Sequence, residues 1–435
     1  MILCLSQFNL SEIENMYFIY SFLLLFIGLV LSPIIFVLFI LKPKLRAGFW
    51  QKMGFYPDLK GNKTIWIHAV SVGEVNAVEG YIKKLKQQYP DCNLVLTTVT
   101  RTGQQVAKSK LSKVVNHITY FPYDFNFSVK SALKAIDPKL VIIAETEIWP
   151  NFSHEINKAG IPLVLVNGRI SPNSYKNYKK FRFFIEKFLK NYSLILMQTE
   201  EDRKRIIDIG ADPLKVEVMG NLKFDNTNVL EQAEIENLKK SFEKNNRKIL
   251  IAGSTHKNED EIILSVYSRL KNGFNNLKLI VAPRHPERND QVLKLISETG
   301  FKFGLRSKNS NFNDSDIILL DTMGELSKIY AICDIAFIGG SFSNTGGHNP
   351  LESAIYGVPV VSGPTIFNFK DIYSYMTAHN GSVIANNEQE LYEKLTDLLI
   401  NSEKYQEMSR NCINIFESNK GALDLAISKI RKYLD

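Results

Sequence analysis

The sequence predicts an α/β protein with two parallel-sheet domains and an N-terminal membrane helix. From residue 64 onward, short runs of Val, Ile and Leu alternate with amphipathic helical stretches, a pattern typical of parallel strands covered by helices on both faces. These strand candidates are too numerous for one open sheet, so two sheets are expected. The candidates are residues 64–69, 94–99, 140–144, 162–166, 194–197, 249–252, 277–281, 317–320, 335–338 and 358–361.

The membrane helix is predicted over residues 16–41, which carry no charged side chain. At about 1.5 Å per residue, a helix of this length extends roughly 39 Å and exceeds a hydrocarbon core of about 30 Å. Cations follow the segment and acids precede it, so the positive-inside rule places the N-terminus outside and the rest of the chain in the cytoplasm. The flanking residues are Lys42, Lys44, Arg46 and Lys52 on one side, and Glu12 and Glu14 on the other.

Two other interpretations of this segment are open. A cleaved signal peptide needs a basic leader and a shorter apolar stretch, whereas here the leader is acidic. A monotopic or partly buried helix is the second alternative. Residues 1–41 are assigned as an N-terminal tail and a retained membrane anchor.

The composition indicates a globular protein. Of its 435 residues, 45% are hydrophobic and 23% are charged, which argues against extensive disorder. Four cysteines are scattered without a CxxC pair, so neither a disulfide framework nor an oxidising compartment is expected. The formal net charge of +8 suits an anionic partner, such as nucleic acid, a membrane surface or a phosphorylated substrate.

A polar stretch at residues 226–248 contains no strand candidate and marks the predicted domain boundary. The two domains are expected at residues 42–226 and 227–435, with a cleft between them. Ligands of parallel sheets bind beyond the carboxyl ends of the strands. Motifs that directly follow strands are therefore the candidate sites.

Three motifs of the first domain carry candidate catalytic side chains. The motif SVGE follows a strand, and its acid, Glu74, is either a general base or a helix-start acid that interacts with the macrodipole. Glu145 and Glu147 follow a buried strand, where two acids are costly unless they are paired, and both functional and structural interpretations stay open. Lys223, in the turn GNLKFD, either complements an anionic group or is a solvated lysine.

Three motifs of the second domain suit an anionic ligand. GSTH places small hydroxyl residues at a strand-to-helix turn, where they bind an anion or simply cap a helix. In PRHP, two prolines present Arg284, either to a phosphate or to the surface. The glycine-rich segment GGSFSNTGGHNPLE ends with Asn349 and Pro350, which fit the N-cap and first position of a helix whose N-terminus attracts an anion.

A basic aromatic helix is predicted over residues 175–190, where six cations and one acid interleave with aromatic residues. Such a helix suits anionic lipid or a phosphorylated lipid substrate. A nucleic-acid surface and a solvated helix with core aromatics are the alternatives. Clustered His, Cys or Asp residues of the kind that bind a metal do not occur in the sequence.

In this order, the motifs WIHAVSVGE, AETEIWPN, GNLKFD, GSTH, APRHPER and GGHNPLE resemble the Kdo (3-deoxy-D-manno-octulosonic acid) transferases of lipopolysaccharide biosynthesis. The resemblance spans about residues 42–365. It implies a GT-B fold, with two Rossmann-like domains facing a central cleft, the first for the acceptor and the second for the donor CMP-Kdo. It further implies transfer of Kdo to the lipid A precursor, lipid IVA, with inversion and with neither a cofactor nor a metal ion.

The resemblance also assigns roles to the residues that match the family's motifs. Glu74 would be the general base, and Glu145 and Lys223 would support the transition state. Arg284 and the helix start at Asn349 would meet the phosphate, while Glu352 would accept hydrogen bonds from the ribose. The residues expected to bind CMP-Kdo are Pro283, Arg284, Met323, Gly324, Glu325, Asn349, Pro350, Leu351 and Glu352.

The family's acceptor lies in the inner leaflet of the bacterial inner membrane. The anchor helix and the basic helix 175–190 are therefore expected at that membrane surface, with cytoplasmic catalytic domains, and nucleic acid is not an expected partner. Two alternatives stay open. One is another GT-B glycosyltransferase or a sugar-nucleotide epimerase that uses a different nucleotide sugar. The other is a non-catalytic, membrane-tethered binding protein.

Overall fold

Two seven-stranded parallel sheets organise the protein, whose computed structural model describes residues 2–42, 46–225 and 229–435. One compact unit, unit 1, comprises Met1–Asn226 and Lys420–Asp435, and the other, unit 2, comprises Thr227–Asn419. The predicted α/β class with two parallel sheets is confirmed. Lys44 and the proposed boundary residues around 226–228 lie outside the described residues, as does the side chain of Glu12.

The sheet of unit 1 has the strand order β3-β2-β1-β4-β5-β6-β7. Its strands are β1 (Ile65–His68), β2 (Leu94–Thr98), β3 (His117–Tyr120), β4 (Leu140–Ala144), β5 (Leu163–Gly168), β6 (Leu194–Met197) and β7 (Val216–Val218). Its helices are α1 (Ile2–Leu41), α2 (Phe49–Lys52), α3 (Val72–Gln88), α4 (Arg101–Leu111), α5 (Asn126–Ile136), α6 (Pro150–Lys158), α7 (Pro172–Lys180), α8 (Arg182–Leu189), α9 (Glu200–Asp208), α10 (Leu222–Asp225) and α19 (Ala422–Ile430).

Helices cover both faces of this sheet, because successive side chains of a strand point to opposite sides. On β1, Ile65 and Ile67 belong to one buried cluster, which includes residues of α3, α4 and α19. Trp66 belongs to the other cluster, formed with residues of α5, α6, α8 and α9. Fully apolar strands such as Leu140–Ala144 are therefore required at the centre of the sheet.

The sheet of unit 2 has the order β10-β11-β9-β8-β12-β13-β14. Its strands are β8 (Lys248–Thr255), β9 (Leu277–Pro283), β10 (Phe303–Leu305), β11 (Ile317–Leu319), β12 (Ile335–Ile338), β13 (Val360–Ser362) and β14 (Ser382–Ile384). Its helices are α11 (Gln232–Ser241), α12 (Glu259–Lys271), α13 (Asn289–Glu298), α14 (Leu326–Ile329), α15 (Leu351–Ala354), α16 (Lys370–Ala378), α17 (Glu388–Ile400) and α18 (Ser402–Asn419).

The C-terminal segment differs from the sequence-based assignment, which placed residues 420–435 in the second domain. The structure groups this segment with unit 1. Apolar side chains of α19, among them Leu423 and Ile427, join the buried cluster beneath α3. In addition, the Asp225 carboxylate accepts the Gly421 and Leu423 N–H groups, at 2.8 and 2.6 Å. Apolar burial and this helix cap together hold the segment on unit 1.

The N-terminal helix α1 extends from Ile2 to Leu41 and is longer than the predicted membrane segment. Its part from Glu14 to Leu41 is long and apolar enough to cross a membrane. The prediction of an apolar N-terminal helix is therefore confirmed. Pro33 lies inside α1 without ending it, as is common for proline in membrane helices.

Candidate functional site

Glu74 lies in the first turn of α3, directly after the carboxyl end of β1. Its carboxylate accepts the Val70 N–H at 2.7 Å and the Ser71 hydroxyl at 3.0 Å, so the helix-start role considered from the sequence is present. Burial, and after it the negative charge of Glu145, raises the pKa of this carboxyl to about 8, although the hydrogen bond from Val70 lowers it. The same carboxylate is thus a base with a pKa near neutrality.

Two more acids lie at the neighbouring strand. β1 pairs with β4, with His68 beside Ile143, so Glu145 and Glu147 emerge next to the Glu74 loop. Glu145 has a φ of +59°, a left-handed conformation that is uncommon for residues other than glycine. Burial raises the pKa of Glu147 to about 7, together with the charge of Glu145. The structure therefore brings three carboxyl groups to one edge of the sheet.

Lys223 reaches this edge because the chain crosses over the sheet after β7. The Met219 N–H bonds to the Met197 carbonyl at 2.8 Å, and the Leu222 N–H bonds to the Asn167 side chain at 3.0 Å. These two hydrogen bonds hold the chain segment that returns from the edge strand β7, so that α10 packs against α3. Lys223 is half-buried on α10. Helix α10 packs against α3, which has Glu74 in its first turn.

In unit 2, the candidate motifs follow four strands that are neighbours in the sheet, in the order β11-β9-β8-β12. The carboxyl ends of parallel strands lie at one edge, so the structure places these motifs together. They are Met323, Gly324 and Glu325 after β11, Pro283 at the end of β9 with Arg284 beyond it, the turn 253–256 at the end of β8, and Asn349, Pro350, Leu351 and Glu352 after β12.

Glu259 organises this edge and was missed by the sequence interpretation. Its side chain is 1% exposed. One carboxylate oxygen accepts the N–H groups of His256 and Gly340, and the other accepts those of Ser341 and Phe342, all at 2.7–2.8 Å. A single buried carboxylate therefore ties the glycine-rich loop to the turn after β8. From the sequence, Glu259 is one of several acids at the start of α12.

Three histidines meet above this loop. The Nε2 atoms of His256 and His348 are 2.8 Å apart, and the ring of His285 lies 5.3 Å from that of His256. Burial, and after it the neighbouring His256, lowers the pKa of His348 to about 4. Both rings of the close pair are therefore neutral at pH 7, with one nitrogen donating to the other. The charge of Arg284 also acts on this pair.

The helix start predicted at Asn349 and Pro350 needs correction. Helix α15 is only four residues long and begins at Leu351, with Pro350 as its N-cap residue. Asn349 accepts the Leu351 N–H at 3.1 Å, so it closes a turn in front of a short helix. Such a helix contributes little dipole, and an anion here would depend mainly on the charge of Arg284. Burial raises the pKa of Glu352, whereas hydrogen bonding to Asn349 and the charge of Arg284 lower it.

Glu325 already has partners within unit 2. Its carboxylate accepts the Thr322 hydroxyl and lies 3.3 Å from Nε of Arg306. Gly324 has a φ of +80°, a conformation that glycine adopts readily. Met323 is 76% exposed. Glu325 therefore holds the turn after β11 through its contacts with Thr322 and Arg306, and the side chain of Met323 is exposed on this turn.

The predicted basic helix 175–190 is interrupted. At Phe181, φ and ψ are −109° and 25°, and the segment forms α7 and α8 instead of one helix. Phe188 is buried in unit 1 together with Ile185 and Leu189, so one aromatic ring of the segment is core, as the solvated-helix interpretation requires. Phe181 and Phe183, however, are 63% and 66% exposed. The segment therefore combines a buried face with exposed rings and cations.

Within residues 2–42, 46–225 and 229–435, no three His, Cys, Asp or Glu side chains are grouped in a way that could hold a metal ion. The residues of the two sheet edges are carboxylates, imidazoles, a lysine and an arginine. Their chemistry is that of proton transfer and anion binding.

Both units match known protein families. Residues 47–226 match the family model described as 3-deoxy-D-manno-octulosonic-acid transferase (kdotransferase), and residues 234–414 match glycosyl transferases group 1. The 3-deoxy-D-manno-octulosonic acid transferase of Haemophilus influenzae is 36% identical over 426 residues, which cover 96% of this chain and 99% of that protein.

Two solved structures are similar as well. The C-terminal CMP-Kdo binding domain of a protein from Acinetobacter baumannii is 30% identical, covers 43% of this chain and 100% of that one, and has a TM-score of 0.41. A putative UDP-N-acetylglucosamine 2-epimerase from Listeria monocytogenes covers 86% of this chain and 96% of its own, at 12% identity and a TM-score of 0.51. This last similarity concerns the fold. The expected GT-B fold class, with two Rossmann-like units, is confirmed.

Proposed function

The chain belongs to the Kdo transferase family, which makes it a glycosyltransferase of lipopolysaccharide synthesis, and on that premise we propose its donor, acceptor and catalytic residues. The donor is CMP-Kdo, and the acceptor is the lipid A precursor, lipid IVA. Transfer inverts the anomeric centre, and Glu74 is the general base.

The position of Glu74 in the first turn of α3, directly after the carboxyl end of β1, together with its raised pKa, is the observation that carries the assignment of the base. In the ionised state, Glu74 takes the proton of an acceptor hydroxyl, and the hydroxyl oxygen forms a bond to the anomeric carbon of Kdo. The bond between that carbon and the phosphate oxygen of CMP breaks, and CMP leaves with the electron pair. A base with a pKa near the working pH is the most effective for such a transfer.

Glu145 and Lys223 assist this step. The negative charge of Glu145 raises the proton affinity of Glu74 and so makes Glu74 a stronger base. Lys223, on the helix that packs against α3, supplies positive charge for the negative charge that develops during transfer. This division of roles agrees with the resemblance to the family's motifs.

Unit 2 holds the donor. The Arg284 guanidinium binds the phosphate beside the turn at Asn349, and Glu352 accepts hydrogen bonds from the ribose. Pro283, Pro350 and Leu351 shape the backbone of this site, while Met323, Gly324 and Glu325 line its side after β11. We propose no cofactor and no metal ion, since CMP leaves readily and Arg284 supplies positive charge at the phosphate.

The acceptor is a lipid, so we propose that the protein works at the cytoplasmic face of the bacterial inner membrane. Helix α1 anchors it there, and the cations of α7 and α8 attract anionic lipid and the phosphates of the acceptor.

The test is to incubate the purified full-length protein with CMP-Kdo and tetraacyl lipid A precursor and to measure CMP release. Glu74→Gln keeps the shape of the side chain and is expected to lower the rate by about 10²–10⁴-fold, the loss typical of a missing general base. The matched control is Glu79→Gln, on the same helix, where Glu79 pairs with Lys83 and Lys110. Turnover of Glu74→Gln at the rate of this control contradicts the base assignment. Turnover with UDP-sugars but not with CMP-Kdo contradicts the donor.

A further inference from the structure

The N-terminal end of the apolar segment of α1 is bound to unit 1 by polar contacts. Met16 and Tyr17 are only 6% and 4% exposed. The Tyr17 hydroxyl accepts a hydrogen bond from Asn191 at 2.9 Å, and the Tyr20 hydroxyl donates to the Asp124 carboxylate at 3.0 Å. These contacts are made by the N-terminal end of the segment that the sequence predicts to span a bilayer.

More contacts continue along the same face of the helix. The Ser21 hydroxyl donates to the Asn151 side-chain oxygen at 2.9 Å, and a Cβ atom placed on Gly28 would lie 3.7 Å from the Phe125 ring. Residues 17, 20, 21 and 28 fall on one stripe of a helix, because they follow its period of 3.6 residues. The contact with unit 1 is therefore a packed face that extends over about three turns.

The C-terminal end of α1 is held to unit 1 as well. Arg46 donates to the Phe39 and Ile40 carbonyls at 2.8 and 2.9 Å, and the Phe39 ring lies 4.9 Å from Phe49 of α2. Helix α2 in turn belongs to unit 1, since the Lys52 carbonyl accepts the Tyr123 N–H at 2.6 Å. Both ends of the apolar segment thus touch the same globular unit.

The opposite face of α1 is apolar and open. Its side chains follow the helical period on the side away from unit 1. They include Phe18, Phe22, Phe26, Leu29 and Phe36, each more than half exposed. A continuous apolar surface of this size is unfavourable in water. Exposed rings of unit 1 near the C-terminal end and the middle of α1 extend it, namely Trp50, Phe55 and Phe127.

Positive charge borders this surface. Phe188 of α8 lies 5.7 Å from the Tyr17 ring, so α8 adjoins the start of α1. Cations of α7 and α8, such as Lys180, Arg182 and Lys187, are placed beside the exposed rings of Phe181 and Phe183. An apolar face edged by aromatic rings and cations is the pattern that binds the surface of an anionic bilayer.

We propose that α1 lies parallel to the membrane plane within one leaflet, with both of its ends on the side of the membrane that holds unit 1. A spanning helix would separate Tyr17 from Leu41 by roughly 36 Å along the bilayer normal. Asp124, Asn151 and Asn191 would then be drawn into hydrocarbon with the helix, which is costly for polar groups. The in-plane arrangement keeps these contacts and immerses only the apolar face.

The orientation of the N-terminus tests this proposal. Cys4 serves as the reporter, since Cys92, Cys333 and Cys412 are buried. Full-length protein in right-side-out and inside-out vesicles is treated with a membrane-impermeant maleimide. The control is Leu214→Cys in a Cys4→Ser background, because Leu214 is 92% exposed on unit 1. We expect Cys4 to react in the same vesicles as the control, and reaction in the opposite vesicles overturns the proposal.

A cross-link provides the second measurement and decides the matter if Cys4 reacts in neither kind of vesicle. Gly28→Cys combined with Phe125→Cys is oxidised in native membranes, with Phe22→Cys and Phe125→Cys as the matched pair on the opposite face. We expect a disulfide in the first pair at several times the yield of the second. Equal yields in the two pairs overturn the docking of α1 on unit 1.

Discussion

The buried carboxylate of Glu259 provides the sharpest test of how unit 2 builds its candidate site. The substitution Glu259→Gln keeps the volume of the side chain and changes only one oxygen into an amide group. That group cannot accept a hydrogen bond, so two of the four N–H groups that Glu259 binds lose their acceptor. Whichever oxygen is replaced, at least one of these groups belongs to the glycine-rich loop.

The expected effect follows from the cost of burying a donor without a partner. At about 1–3 kcal/mol for each group, two groups weaken the closed loop by roughly 2–6 kcal/mol. Since about 1.4 kcal/mol corresponds to a factor of ten, local opening of the loop becomes more frequent by about thirtyfold at the least.

Hydrogen–deuterium exchange of the full-length protein measures this opening directly. We expect exchange in residues 339–345 to accelerate by about thirtyfold or more, and the affinity for CMP to fall with it. Glu261→Gln is the matched control, because Glu261 lies exposed in the same turn of α12. If Glu259→Gln exchanges within threefold of the control in this segment, Glu259 does not hold the loop and the reasoning fails.

Four further predictions concern three single residues. Because the Glu74 pKa of about 8 in the folded state exceeds its ordinary value of 4.5, kcat/KM should rise with pH toward about 8, and a flat profile from pH 6 to 9 contradicts this. The stability that protonated Glu74 confers is complete below pH 4.5 and is lost as pH rises through about 8. At 1.36 kcal/mol per pKa unit, this contribution amounts to at most roughly 5 kcal/mol. In urea unfolding, Glu74→Gln should not show this loss of stability with rising pH. Asp225→Ala removes the cap of α19 and should destabilise unit 1 by about 0.5–2 kcal/mol, measured as faster exchange in residues 420–430, with Asp424→Ala as control. Arg284→Ala should weaken CMP binding by about 10- to 100-fold in calorimetry, and an unchanged affinity removes Arg284 from the phosphate site.

Sequence patterns predicted the strands well where the strands are central and apolar. Each of the ten candidates corresponds to a strand, whereas β3, β7, β10 and β14 were missed. The short edge strands His117–Tyr120 and Val216–Val218 carry polar residues. They can do so because an edge strand is less deeply buried than a central strand. Their composition therefore does not differ from that of a loop.

The candidate site was predictable only in part, for a related reason. Glu74 stands out as an acid that follows a strand, but its raised pKa depends on burial and on Glu145 from the adjacent strand β4. Glu259 binds N–H groups that are more than eighty positions away in the chain, and a local pattern cannot show such contacts. The break between α7 and α8 at Phe181 was likewise not visible in the sequence, because neither glycine nor proline marks it.

The capping of α19 by Asp225 has a consequence for biosynthesis. Unit 2 is inserted into unit 1, since the chain leaves unit 1 near residue 226 and returns to it at residue 420. During translation, the core of unit 1 stays incomplete until the ribosome has released residues 420–435, which supply α19. By then its seven strands have long emerged. Unit 2 is formed by one continuous segment of the chain, so it can fold before unit 1 has been completely synthesised.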